Sequence, residues 1–180
     1  MSDLGHTLLR LARNAIAERL DVAPIAGDED LPELHAPGAS FVTLTQQGRL
    51  RGCIGTLEAY RPLALDVAEN ARAAAFRDPR FAPLSAAEFA QTRVEVSLLS
   101  PPQAWPVQDE DDACARLQPG IDGLILQAGA RRATFLPQVW ESLPDPRAFL
   151  QQLKQKAGLP ADYWGGDIAL QRYQVQKWKA

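Results

Sequence analysis

The groups best suited to chemistry are concentrated in one short segment, LRGCIGT, Leu50–Thr56. Cys53 offers a thiol, a nucleophile or soft ligand once ionised, and Arg51 lies two residues earlier, on the same face of an extended chain. A guanidinium in that place lowers a thiol pKa from its reference of about 8.5 and attracts an anion. Gly52 and Gly55 weaken a strand interior, which points to a bulge or to the close approach of a ligand or another backbone. The blander alternative is a buried structural cysteine whose flanking glycines let a helix pack closely.

Other chemistries lack their residues. No GxGxxG or GxxxxGK[ST] loop is present to cradle phosphates, and no GxSxG elbow announces a serine nucleophile. His6 and His35 are the only histidines and sit far from the two cysteines, so neither a metal site nor a resident cofactor is expected. Cys53 and Cys114 make no disulfide framework and no CxxC pair, which suits a reducing compartment. The amino-terminal stretch lacks the pattern of a signal peptide, and no apolar run is long enough for a membrane span; the expectation is a cytoplasmic protein.

Length and composition frame these residues. A chain of 180 residues with 46% hydrophobic and 23% charged residues forms one compact domain, or at most two small lobes sharing a core. Nineteen basic against 22 acidic residues give a net charge of -3, which argues against electrostatic binding to nucleic acid or to an anionic membrane.

The elements that must position LRGCIGT can be read from periodicity. Leu4, Leu8, Leu11, Ala12, Ala15 and Ile16 recur at helical spacing, with Ser2 or Asp3 as the cap. Asp21–Gly38, with three prolines and the acidic residues Asp28, Glu29, Asp30 and Glu33, reads as a solvated loop. Phe41–Thr45 and Leu50–Leu57 form a hairpin about Gln46-Gln47-Gly48. Alternation puts Leu50 and Ile54 on a core face and Arg51, Cys53 and Gly55 on the other. Arg51→Ala should therefore leave stability within about 0.5 kcal/mol, whereas Ile54→Ala should cost on the order of 2–5 kcal/mol.

A helix follows from Pro62 to about Phe76, and FRDPRF stops it, because Pro79 pushes Asp78 out of helical geometry. Ser85-Ala86-Ala87-Glu88 is a capping box, and Arg93–Leu99 alternates as a strand. Gln108–Leu117 is acidic and briefly helical. Gly123–Gln127 with Arg132–Leu136 makes a second hairpin, Asp145-Pro146 begins a helix that ends at Gly158, and Ile168–Trp178 is one long final strand. Strands and helices intermix without βαβ spacing, so the fold class is α+β with a mainly antiparallel sheet packed with helices.

LRGCIGT preceded by FVTL and followed by LEAYRPL, AFRDPRF, VEVSLLSPP and ATFLPQVW resembles the AMMECR domain family, in the form of its bacterial AmmeMemoRadiSam system protein A members. The likeness runs from about Leu8 to Lys177 as one AMMECR-type domain. It implies two unequal lobes with a cleft between them, a cytoplasmic location, and Memo-like and radical-SAM proteins as partners. It supplies no established reaction. The family's RGCIG stretch is a candidate active or binding site, which carries onto Arg51, Gly52, Cys53, Ile54 and Gly55, with Thr56 adjoining. The matching DPRF and EVSLL stretches add Asp78, Arg80, Phe81, Glu95 and Ser97.

On this basis Cys53 is expected to be the nucleophile or thiol ligand, Arg51 an anion clamp and Glu95 a general base from a neighbouring strand. Arg49 to Arg80 holds six arginines against Glu58, Asp66, Glu69 and Asp78, an excess of two that favours a small anionic ligand. The rival expectation is a non-catalytic interaction module or accessory subunit, with Trp105, Trp140, Trp164 and Trp178 as exposed anchors.

Overall fold

Residues 3–27 and 30–180 are described by the computed structural model. Ser2, one of the two residues offered as a cap, and Asp28 and Glu29 of the acidic loop lie outside them. The elements in chain order are α1 (Asp3–Arg19), α2 (Pro32–His35), β1 (Ala39–Gln46), β2 (Arg49–Gly55), α3 (Leu63–Phe76), α4 (Ala86–Phe89), β3 (Arg93–Leu99) and β4 (Gln103–Ala104). They continue with α5 (Glu110–Arg116), β5 (Gly123–Ala128), β6 (Arg131–Phe135), a 3₁₀ turn (Pro137–Glu141), α6 (Pro146–Lys156), β7 (Ile168–Tyr173) and β8 (Val175–Lys179). The class is α+β. No described helix is long and apolar enough to cross a membrane.

The chain divides into two compact units, one running to Leu99 and resuming at Gln176–Ala180, the other Ser100–Val175. Each has its own hydrophobic cluster. In the first unit the strand order is β2-β1-β3-β8. Val42, Leu44, Val94 and Val96 point from β1 and β3 into a core closed by Leu8 and Ile16 of α1 and by Val67 and Ala71 of α3. The sheet is therefore apolar on its helix-covered face. The opposite face carries Phe41, Thr43, Thr45, Arg93, Glu95 and Ser97, as the two-residue period requires.

The β1–β2 hairpin turns through Gln47 and Gly48, both at positive φ (50° and 77°), the pairing that matches strand twist in a two-residue loop. Its register slips once, so that Thr45 opposes Leu50 while Leu44 opposes Gly52, leaving Arg51 as the extra residue of a bulge. This corrects the expectation for Leu50. The bulge breaks its parity with Ile54, and Leu50 is 44% exposed rather than on the core face.

In the second unit the strand order is β4-β7-β5-β6. Leu124 and Leu126 meet Phe149, Leu150 and Leu153 of α6, whose cap is Asp145 as the sequence indicated. Trp140 stacks flat on Phe149 at 3.8 Å. The expected final strand is two strands in two different sheets. The break falls at Gln174, whose carbonyl accepts from the Ser100 N–H and whose N–H donates to Ser100 Oγ. Trp105, Trp140 and Trp178 are buried and Trp164 half-buried, so the expected exposed anchors are mostly core. Short β4, and α2 within the acidic loop, have too few residues for periodicity to register.

Candidate functional site

β2 is an edge strand, and an edge presents unpaired backbone groups that must be satisfied or protected. At Cys53 both outward groups are taken up by the turn after α3. Its N–H donates to Asp78 Oδ2 at 3.0 Å, and its carbonyl accepts from Arg80 Nη2 at 3.4 Å. Asp78 and Arg80 are themselves joined twice, Nε to Oδ1 at 3.0 Å and Nη2 to Oδ2 at 2.7 Å. The Asp78 side chain is only 2% exposed. The Arg80 guanidinium above all, with the Cys53 and Arg80 backbone N–H groups, holds its carboxyl far below the ordinary carboxylate range. The DPR sequence is thus a two-residue substitute for the missing neighbour strand.

Because both backbone groups of Cys53 point to the free edge, Cys53 and Thr43 form a non-hydrogen-bonded cross-strand pair, in which side chains stand closest. Cys53 Sγ lies 3.2 Å from Thr43 Oγ1, and the residue as a whole is half-buried. One strand further, Glu95 opposes Thr43, so Cys53, Thr43 and Glu95 form a row across the outer face of the sheet. The Glu95 carboxylate is bound by Lys179 at 2.9 Å and Lys177 at 3.8 Å, both from β8. Phe41, Gly55 and buried Ser97 make the next row.

Arg51 turns away from this row. Its Nε and Nη2 donate to the two carboxylate oxygens of Glu88 at 3.2 and 3.3 Å, and Nη2 also donates to the Ala82 carbonyl at 2.8 Å. Its side chain is 12% exposed, and Nη1 is buried without a hydrogen-bond partner among the described residues. Glu88 is the acid of the Ser85 capping box, so one carboxylate caps α4 and binds Arg51. The Ser85 N–H first, then Arg51, lower its pKa. Phe81 lies under both guanidiniums, 5.7 Å from that of Arg51 and 5.5 Å from that of Arg80.

Both glycines have scaffold reasons. A Cβ at Gly52 would sit 2.2 Å from the Ala74 carbonyl of α3, and one at Gly55 would sit 2.1 Å from the Phe41 ring. Ile54 packs against the core on the helix side. Thr56 is also drawn away from the thiol. Its hydroxyl donates to Asp66, a fully buried carboxylate that also accepts from the Ser40 N–H and hydroxyl, Arg61 Nε and Asn70 Nδ2, all at 2.6–3.0 Å. This knot ties α3 to β1.

The structure therefore brings together Cys53, Asp78, Arg80 and Phe81, puts Glu95 and Ser97 on the same sheet face, and turns Gly52, Ile54 and Thr56 to the other side. Thr43 and Glu88 escaped the sequence reading as site residues. Thr43 had a signal, since an antiparallel hairpin pairs it with Cys53 once the register is known. Asp66 and Asn70 also had one, being polar residues four apart on the apolar stripe of Leu63, Val67, Ala71 and Ala74. Among the described residues no group of three His, Cys, Asp or Glu is arranged to hold a metal.

The same architecture recurs in a crystal structure titled as an uncharacterized protein, PH0010, of Pyrococcus horikoshii. It aligns with a TM-score of 0.80 at 34% identity over 99% of this chain and 92% of that one. A Methanothermobacter thermautotrophicus protein is 38% identical, covering 97% of this chain and 93% of its own. One from Saccharolobus solfataricus is 39% identical, covering 90% of this chain and 74% of its own. A family model described as AMMECR1 matches residues 9–178, and with relatives this similar over nearly the whole length the chain belongs to the AMMECR1 family.

Proposed function

We propose that the Cys53 row is a ligand-binding or catalytic site whose working group is the thiol. The observation that carries this is the combination at Cys53 of a backbone fixed on both sides and a half-buried side chain on the outer face of the sheet. Asp78 and Arg80 grip its N–H and carbonyl, while Sγ lies beside the Thr43 hydroxyl. A structural cysteine needs neither. In this reading Thr43 orients the thiol by hydrogen bonding, and Glu95, held by Lys177 and Lys179, is the carboxylate base placed one strand beyond. Asp78 and Arg80 are positioning residues. Resemblance to the AMMECR domain family supplies the proposed setting, a cytoplasmic protein acting with a Memo-like protein and a radical-SAM enzyme.

Thiol–disulfide exchange tests the reading. The native protein, treated with an aromatic disulfide, should release about one equivalent of aromatic thiolate per chain as Cys53 forms the mixed disulfide. Cys114→Ser should retain the release and Cys53→Ser should lose it. Release that is unchanged in Cys53→Ser, or that requires denaturant, contradicts it. A second reading, a non-catalytic interaction module, draws on Leu57, Tyr60 and Leu65, which are 42%, 68% and 57% exposed within nine residues. It predicts that substitutions there weaken partner binding while Cys53→Ser does not.

A further inference from the structure

We infer that the outer face of the first sheet receives a small oxyanion, a carboxylate or phosphate, and that Arg93 and Lys177 rather than Arg51 or Arg80 draw it toward Cys53. The inference rests on the thiol site proposed above and names its ligand class.

Charge pairing removes the two arginines nearest the thiol from consideration. Arg51 is matched by Glu88 and Arg80 by Asp78, so these four groups sum to zero. The outer face keeps its excess elsewhere. Strand parity places Arg93 on it, opposite Thr45 and two residues along β3 from Glu95. Arg93 is exposed and has no ion-pair or hydrogen-bond partner for its side chain among the described residues. Lys177 and Lys179 reach the same face from β8 and share the single charge of Glu95, Lys179 at 2.9 Å and Lys177 more loosely at 3.8 Å. Arg93 and Lys177 thus put two cations on this face beside the one carboxylate of Glu95, on a chain whose net charge is -3.

Hydroxyl donors line the path. Thr43 and Thr45 stand between the β3 charges and the β2 thiol, and Ser97 lies in the adjoining row. Neighbouring strands are about 4.8 Å apart, so β3, with Arg93, lies on the order of 10 Å from the Cys53 strand and β8, with Lys177, about 14 Å from it. Those distances suit attraction and orientation of an anion more than direct contact with sulfur. They exceed the Debye length of about 8 Å at physiological salt but lie within the roughly 30 Å reached at 0.01 M, so the attraction is strongest at low ionic strength.

The test compares two alkylating reagents of similar chemistry, anionic iodoacetate and neutral iodoacetamide, on Cys114→Ser protein at low ionic strength. Each forms an S–C bond at Cys53 and expels iodide, the thiol proton passing to buffer. The iodoacetate-to-iodoacetamide rate ratio at Cys53 should exceed that of N-acetylcysteinamide and fall toward it in high salt. Arg93→Glu and Lys177→Glu should each lower the ratio by about twofold to fivefold, while Arg19→Glu on the distant end of α1 leaves it unchanged. A wild-type ratio equal to that of the free thiol and insensitive to salt overturns the inference.

If Cys53 resists both reagents, the thiol reading fails by itself. Titration calorimetry with inorganic phosphate then decides the anion reading. Saturable heat that disappears in the Arg93→Glu/Lys177→Glu double variant supports it, and no saturable heat with the wild-type protein overturns it.

Discussion

The Arg51 guanidinium shows how a residue read as a free clamp can be a structural tie. Three hydrogen bonds to Glu88 and Ala82 and a 12% exposed side chain bind it to the start of α4. Glu88 is more open, at 39%, which screens the pair. Arg51→Ala should therefore lower stability by about 1–3 kcal/mol, well beyond the half kilocalorie expected from strand alternation. Thermal melts of Arg51→Ala, Glu88→Gln and the double variant check this. A double variant no worse than either single one establishes the coupling, and additive losses refute it. The sequence carried both halves of this contact, Arg51 in the RGCIG segment and Glu88 in the capping box. Their union was not legible, because it joins residues 37 apart through a turn whose path no local pattern states.

At the scale of elements, β2 is positioned by contact on one side and by an edge clamp on the other. Gly52→Ala drives a methyl group into the Ala74 carbonyl, and backbone cannot swing aside, so a loss of roughly 1–3 kcal/mol should persist whatever neighbouring side chain is trimmed. Gly55→Ala collides with the Phe41 ring instead, and Phe41→Ala should relieve that strain in the double variant. Equal behaviour of the two glycines in rescue experiments would contradict this assignment.

The Asp78 clamp should also leave a mark on the pH dependence of stability. Its carboxyl is held below its unfolded value of about 3.9, so the stabilisation is complete well above that pH and is lost on acidification. Asp78→Asn should melt below the wild type at pH 7, with the gap starting to narrow below about pH 5 and still narrowing as the pH falls toward the lowered folded-state value. A gap that stays constant would remove Asp78 from the linkage. The hairpin, both longer helices of the first unit and strand β3 were legible from period and capping residues. The bulge at Arg51 was not, because one extra residue leaves the composition of a strand unchanged.

At the scale of the whole chain, the first unit is completed by its last residues. The path leaves it after β3, builds the second unit and returns as β8, whose Trp178 is buried against Gly5 of α1, where a Cβ would lie 2.3 Å from the indole. Trp178→Ala should cost about 3–5 kcal/mol and should lower the melting of the first unit, although the residue is third from the end of the chain. Melting within 0.5 kcal/mol of the wild type would show that β8 is dispensable. The Gln174 break hides this return in the sequence, since Ile168–Trp178 alternates as though it were one strand.

The same return brings Lys177 and Lys179 to Glu95, and so finishes the sheet face on which Cys53 stands. The central claim is that folding makes Cys53 a working thiol. It is tested most directly by mapped iodoacetamide alkylation of Cys53 and Cys114 at neutral pH, in the native protein and in urea. Both cysteines are half-buried, and burial pushes the Cys114 thiol up, while Cys53 stands on its clamped edge beside Thr43. Cys53 should react several-fold faster than Cys114 in the native protein, with the two rates converging in urea. Equal native rates, or a Cys53 that reacts only once the chain is unfolded, would contradict the account.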